Sequence, residues 1–351
     1  MDLIHPHSVG EVMDVVRSAA ETGAPILVVG GRTHMDKGNP SPVEIEIWTT
    51  QLDELVEYDP QEMLVVAQAG MRIGDLRHIL AEGGQEWPVD APDHATIGGV
   101  IATGVSSPRR LKVGHVRDTV VEMDLVTGDG RLIRSGARTV KNVTGFDLHR
   151  LATGSLGTLG VIVQVALKVR PIPEIRRTLH VPGWLTVGEQ LLETVPLPAG
   201  VFASSEGVEL RLEGWRDEVE EQTDAARRAA GGITVADDGT PFPSARPWDK
   251  AAVQVEASVL PSRLPELPVV AGERWGALLG VGTMWVGLDD DGPALEELRA
   301  RVREFGGIAP VVLGPGGLGD TDLSGLEVHR RVKEALDPMN VMAPGRFWGG
   351  I

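Results

Sequence analysis

VVEMDLVTGDGRLIRS (120–135) reads as two alternating apolar runs joined at Asp129–Gly130, a dipeptide that favours the tight turn of a β-hairpin. GVIVQVALKV (160–169) follows as a further strand. Upstream, MLVVAQAG (63–70) and VEIEIW (43–48) are strands, the latter alternating as if one face were wet, and ILVVGG (26–31) is a short buried strand that stops at paired glycines. Two amphipathic helices lie between these strands. Ser8 and Glu11 form a capping pattern before Val9, Val12, Val16 and Ala20 at helical spacing, and Gly23 ends that helix. IGDLRHILAEGG (73–84) is the second helix. RPIPE (170–174) breaks the pattern with two prolines and sets a domain boundary.

Beyond it, RRTLHV (176–181) and VELRLEG (208–214) are strands, as are segments over 251–257 and around 275–287. Helices are expected at about 186–195, 215–232 and 293–307, giving strand–helix–strand twice over, the order of a small α+β sandwich. Residues 314–325 are glycine-rich and read as a mobile loop, and EVHRRVKEALDPMNVMAPGRFW (327–348) as a helix stopped by Pro338 and an extended tail. The expected organisation is residues 1–172, residues 175–325 and a C-terminal segment 326–351 that returns to the first domain.

The chain has 351 residues and a net charge of −17, which argues against nucleic acid or an anionic membrane surface as partner. It contains no cysteine, so no disulfide, Cys-ligated zinc or Cys₄ iron–sulfur cluster can sit on it alone. The N-terminus lacks the pattern of a secretory signal and no stretch is apolar enough to span a membrane, so a cytoplasmic location is expected.

VVGGRTHMDKG (28–38), ATIGGVIATG (95–104) and TGSLGTLGVI (153–162) are rich in glycine and small residues. Such loops let a ligand lie against the main chain, and successive N–H groups can cradle phosphate oxygens. Any one of them could equally be a plain turn. GSLGTLG (154–160) does not fit G-x-G-x-x-G and no acidic ribose partner follows it, so a nicotinamide-binding Rossmann unit is a poor reading.

With SSPRRLKVGHVRD (106–118), KNVTGFDLHRL (141–151), LRLEG (210–214) and LDPMNVMAPGRFW (336–348), these segments resemble the FAD-binding domain of the p-cresol methylhydroxylase / vanillyl-alcohol oxidase superfamily, and within it the FAD-binding subunit of bacterial glycolate oxidase. The resemblance is strong over 90–172 and in the last 25 residues, and thin over 175–320. It implies an α+β protein: a two-subdomain FAD-binding domain plus a smaller α+β cap, with FAD between them. The family's diphosphate loop falls on Gly30, Gly31, Arg32, Thr33 and His34, and its second contact segment on Pro92 and Ala95, Thr96, Ile97, Gly98 and Gly99. The segment near the flavin ring falls on Ser106, Arg109, Arg110, Arg117 and Asp118. The closing strand falls on Gly157, Gly160, Val161 and Ile162, and Arg346 returns from the tail. The residue that often tethers FAD covalently is Thr33 here, with His34 one place beyond, so FAD is expected to be held non-covalently. Gly145–Phe146–Asp147–Leu148 stands where the family has Gly-Tyr-Asp-Leu, and Ala343 where it has Asn.

The implied activity is oxidation of a small 2-hydroxy acid, with electrons passed to an iron–sulfur partner subunit beside a larger flavin-containing subunit. Catalytic candidates are weak. His94 precedes a glycine cluster, but a loop-capping role suits it as well. Arg109 and Arg110 suit an anionic substrate or reduced flavin, or an ordinary ion pair. His5 and His7 belong to an N-terminus read as frayed, His329 to a helix surface, and no metal site is expected. The histidine cluster with which the larger subunit and D-lactate dehydrogenases position a 2-hydroxy acid has no match, since GLGDTDLSG (317–325) contains no histidine. Two further readings therefore stand beside a catalytic subunit: a non-catalytic FAD-holding assembly subunit, or a stand-alone FAD-linked oxidase.

Overall fold

The computed structural model describes residues 1–105, 107–138, 146–236, 240–268, 272, 274–319 and 325–351. Contacts divide them into two units. One comprises residues 1–105, 115–172 and 325–351, the other residues 107–114 and 173–319. Ser106 and Lys141–Gly145 of the family-like segments lie outside the described residues, as does most of 317–325.

In the first unit, β1 (Asp2–Ile4), β2 (Ile26–Val29) and β3 (Ile45–Trp48) form a parallel sheet in the order β1-β3-β2. The helix Val9–Thr22 covers it. Its Ser8 side chain accepts from the Glu11 N–H at 3.2 Å, while Glu11 accepts from the His7 N–H at 2.9 Å, one residue earlier than a capping box places it. Val12, Val16 and Ala19 are completely buried against Ile26, Ile47, Val126, Val161 and Val163. The N-terminus is not frayed: β1 pairs with β3, and the His5 ring stacks on Trp48 with centroids 5.6 Å apart.

β4 (Leu55–Asp59), β5 (Leu64–Gln68), β7 (Val120–Val126), β8 (Leu132–Gly136) and β9 (Val161–Lys168) make an antiparallel sheet, order β4-β5-β9-β7-β8. β6 (Gln85–Glu86) and β10 (Arg170–Pro171) pair separately. The expected hairpin is β7–β8, with Gly130 at φ 75° in its turn. The helices Ile73–Glu82 and Ile97–Thr103 bury Leu76, Leu80, Ile97 and Ile101 in the core of this sheet. Two cores thus make two subdomains, and β7 and β9 contribute residues to both.

In the second unit, β11 (Ile175–Val181), β12 (Gly200–Ser204), β13 (Gly207–Gly214), β14 (Thr234–Val235), β15 (Val253–Ser258), β16 (Trp275–Leu278), β17 (Thr283–Leu288) and β18 (Val311–Leu313) form one antiparallel sheet, order β14-β11-β13-β12-β16-β17-β15-β18. The helices Leu185–Thr194, Arg216–Ala229 and Pro293–Glu304 bury Leu191, Val219 and Leu298 in its core. Residues 107–114, expected with the flavin domain, pack here. Arg109 is buried with Nη1 3.3 Å from Glu213, and the Lys112 ammonium lies 3.0 Å from Glu218.

The C-terminal helix Leu326–Leu336 is fixed to the first unit by one buried pair. Lys333 Nζ donates to Asp337 at 2.7 Å, to the Thr158 carbonyl at 2.9 Å and to the Met342 carbonyl at 2.6 Å. Asp337 accepts the N–H groups of Val341 and Met342 at 3.1 and 2.8 Å. Burial pushes the Lys333 ammonium below its ordinary pKa, opposed by Asp337. Lys333→Met leaves a buried carboxylate without its cation and should cost about 3–5 kcal/mol. The midpoint of urea unfolding measures that loss; an unchanged midpoint would show that the pair does not anchor the tail.

Candidate functional site: a glycine-lined cleft

Three loops of the first unit meet at an open cleft with about 710 Å³ of empty space, the solvent at its mouth included. Gly30, Gly31, Arg32, Thr33, His34 and Met35 line it from the end of β2. Gly98, Gly99, Ala102 and Thr103 line it from one face of the helix Ile97–Thr103. Ser155, Leu156, Gly157, Gly160 and Ile162 form a third wall, and Arg346 arrives from the tail. The three glycine clusters, far apart in sequence, are thus walls of one cavity.

The donors are distributed unevenly. The first N–H groups of the helix Ile97–Thr103 are taken: Ile97 donates to the Met71 carbonyl at 3.0 Å, Gly98 to the Ala69 carbonyl at 2.7 Å, and Gly99 to Thr96 Oγ1 at 3.2 Å. This segment shapes the cavity but leaves none of those three N–H groups for a phosphate. By contrast, no acceptor among the described residues takes the N–H groups of Gly31, Arg32 or Thr33. Gly31 and Thr33 are half-buried and Arg32 is exposed, so these successive N–H groups are open to an acceptor such as a diphosphate. Arg346, nearly buried, donates to the carbonyls of Met35 and Lys37 at 2.7 and 2.9 Å, so it holds the first loop and brings positive charge to the cavity wall. Its burial lowers its pKa, and Asp36 opposes that.

The glycines serve differently from the expectation that they leave room for a ligand. A Cβ on Gly31 would strike the His94 carbonyl and come within 2.9 Å of Ala95 Cα; one on Gly30 would strike the Thr96 side chain. A Cβ on Gly98 would sit 2.9 Å from the Ala69 Cβ. These residues let two walls touch. Gly157 differs: at φ 80°, a Cβ there would meet only Val28 within 4 Å, so it is glycine for its backbone conformation.

Other expected positions fall elsewhere. Ala95, Thr96, Ile97 and Val161 are buried behind the wall, and Thr96 caps the helix Ile97–Thr103. Pro92 and His94 are exposed, as are Arg117 and Asp118; the Asp118 carboxylate pairs with Arg150 at 3.3 Å. Arg109 and Arg110 belong to the second unit, where Arg109 pairs with Glu213 and Arg110 opens the helix Arg110–Val113. Ser106 lies outside the described residues. His34 Nδ1 is 3.0 Å from Thr33 Oγ1 on the cleft wall. Val28, Met35, Ala102, Thr103, Ser155 and Leu156 also line the cleft from within the three glycine-rich segments, although no reading of the sequence names them individually, and Thr49 comes from outside those segments. A helical reading of ATIGGVIATG would have found two of them, since Ala102 and Thr103 follow Gly98 and Gly99 by one turn. Among the described residues, no group of three or more His, Cys, Asp or Glu could hold a metal ion, and no helix is long and apolar enough to cross a membrane.

Residues 3–136 match the model of the FAD binding domain family, and the orphan donors, the positive wall and the glycine-lined cleft fit that cofactor. Over that span the chain is therefore similar to proteins with an FAD-binding domain, and it carries a second α+β unit besides. Alkyldihydroxyacetonephosphate synthase shares the fold, with a TM-score of 0.72 at 18% identity over 97% of this chain and 76% of that one. More particularly, the chain is similar to glycolate oxidase subunit GlcE of Escherichia coli (strain K12), 29% identical over 97% of each chain. D-lactate dehydrogenase of Anaerostipes hadrus is 33% identical over 51% of this chain and 38% of its own length. Glycolate oxidase subunit GlcD of Bacillus subtilis (strain 168) is 30% identical over 50% and 38%.

His149, on the helix Leu148–Ala152 that leads into the third wall, carries no signal in the sequence. It is buried, with Nδ1 3.1 Å from Ser135 Oγ, and burial lowers its pKa. The unfolded chain therefore takes up this proton first, and stability should fall as pH drops below the ordinary histidine value of about 6.5. Urea midpoints at pH 7.5 and 5.5 should differ less in His149→Gln than in the parent; equal differences would refute the assignment. Gly98→Val should lower stability by about 1–3 kcal/mol through overpacking against Ala69, seen as a lower melting temperature even without flavin.

Proposed function

We propose that the chain holds FAD non-covalently and is a flavin-carrying subunit of a glycolate-oxidase-type complex that oxidises a small 2-hydroxy acid. The similarity to GlcE along 97% of both chains carries this reading, because it extends through the second unit and the tail as well as the flavin domain. The open N–H groups of Gly31–Thr33 would take the diphosphate, Arg346 would hold their loop, and Gly157, Gly160 and Ile162 would meet the adenine end. FAD, when bound, supplies a two-electron acceptor. Thr33 offers no tether like the histidine, cysteine or tyrosine of covalent flavoproteins, and His34 is engaged with Thr33 Oγ1.

Removing hydride from C2 of a hydroxy acid also requires a group for the hydroxyl proton and one to orient the carboxylate. The described residues of the first unit put no evident set of this kind on the cleft wall, and Arg109 already pairs with Glu213. We therefore assign oxidation to the assembled complex: a larger flavin-containing subunit and an iron–sulfur subunit would be the partners, the latter because this chain has no cysteine for a cluster of its own.

Acid or heat should release the flavin from the purified chain; flavin that precipitates with the polypeptide would overturn the non-covalent reading. Anaerobic mixing of the FAD-loaded chain with excess glycolate, D-lactate or L-lactate should leave the flavin absorbance unbleached, and co-expression with both partners should restore turnover. Rapid bleaching of the isolated chain would show a complete active site on it.

A further inference from the structure

We infer that Glu46 positions the FAD diphosphate loop, acting through Arg32; the inference rests on the reading that the cleft takes FAD. Arg32 adopts φ 55°, the left-handed region that side-chain-bearing residues seldom enter. A left-handed residue in such a loop turns successive N–H groups towards one point, the geometry of an anion-binding nest, and the N–H groups of Gly31, Arg32 and Thr33 are the ones with no acceptor among the described residues. Glu46 supplies what holds Arg32 there. Its Oε1 accepts from Arg32 Nη2 at 2.6 Å, and its Oε2 accepts from Trp48 Nε1 at 2.9 Å. The Arg32 guanidinium carbon lies 5.0 Å from the centre of the Trp48 ring, on which His5 also stacks.

The burial of the two partners fits these roles. The Glu46 side chain is 5% exposed and the Arg32 side chain 49%. A carboxylate on the central strand of a parallel sheet is costly to bury without a cation, yet β3 turns it inward, where sequence alternation predicted a wet face. Glu46 does not itself line the cleft, whereas Arg32 does. It is therefore a positioning residue: the anchor is fixed in the sheet and the arginine carries that constraint to the loop.

The test is FAD affinity of deflavinated protein, measured by quenching of flavin fluorescence, beside its melting temperature without flavin. Losing the charge-assisted bond in Glu46→Gln should leave the loop less organised and raise the FAD Kd about five- to tenfold. Trp48→Phe, which keeps the ring and removes one hydrogen bond to Glu46, should raise it about threefold. In an Arg32→Gly background, where glycine takes the left-handed conformation unaided, both changes should add less than about twofold, as a double-mutant cycle through one shared contact requires. A Glu46→Gln protein that melts lower but keeps the parental Kd would make Glu46 merely structural and overturn the inference. So would an equal rise in Kd with and without Arg32. Should Glu46→Gln fail to fold, the Trp48→Phe cycle decides by the same criteria. A parent that binds no FAD would instead refute the reading of the cleft.

Discussion

The buried pair Lys333–Asp337 is the constraint on which the flavin domain depends. One ammonium reaches three oxygens from three parts of the chain: the carboxylate of its own helix, the Thr158 carbonyl in the third cleft wall, and the Met342 carbonyl in the tail. Asp337 in turn takes two N–H groups of the same tail. Neither charge reaches water, so each is tolerable only with the other in place. The geometry of this pair therefore fixes where residues 341–346 run, and that sets Arg346 against the carbonyls of Met35 and Lys37. Two of the three cleft walls are thus registered against the C-terminus, which explains physically why a segment so distant in sequence belongs to the flavin domain.

The same cleft separates two uses of glycine that look identical in sequence. In ATIGGVIATG the glycines and their N–H groups serve packing: Gly98 donates to a carbonyl of the Ala69 turn and leaves no space for a side chain against it. In VVGGRTH the missing side chains at Gly30 and Gly31 bring the first loop against His94–Thr96, and the N–H groups that follow are left without acceptors. Only the second arrangement leaves successive N–H groups open, as a phosphate cradle requires. The distinction follows from what lies across the glycine, which is tertiary information.

Legibility followed the range of the interactions. The hairpin β7–β8, the capped helix Val9–Thr22 and the helix before Pro338 depend on residues near one another in sequence, and their patterns were visible. β12 was not: Gly200–Ser204 is buried at every position, so it has no alternation to read, and it is a strand because β13 and β16 flank it. Resemblance and sequence neighbours both put residues 107–114 with the flavin domain, but the partner of Arg109 is Glu213, more than a hundred residues away. For the cleft, resemblance and glycine content named the loops, while the lining contributed by Val28, Thr49, Ala102 and Thr103 required knowing which face of each element turns inward.

β3 shows how a departure from a local rule can mark a functional constraint. Alternation in VEIEIW assigns Glu46 to solvent, and in a free-standing sheet edge that would hold. Here β3 lies between β1 and β2; the helix Val9–Thr22 covers its Ile47 face, and on the opposite face, which carries Glu46, Trp48 packs with Val29 and Ala343, so both faces are covered and an acidic residue must find a cation. The cation available is Arg32, immediately after the paired glycines that end β2. Meeting Glu46 goes with a left-handed arginine and a loop whose N–H groups lack protein acceptors. An unfavourable burial in the sheet and an unfavourable backbone at its rim thus compensate each other, and what they leave over is a concentration of unsatisfied donors where an anionic cofactor would be held.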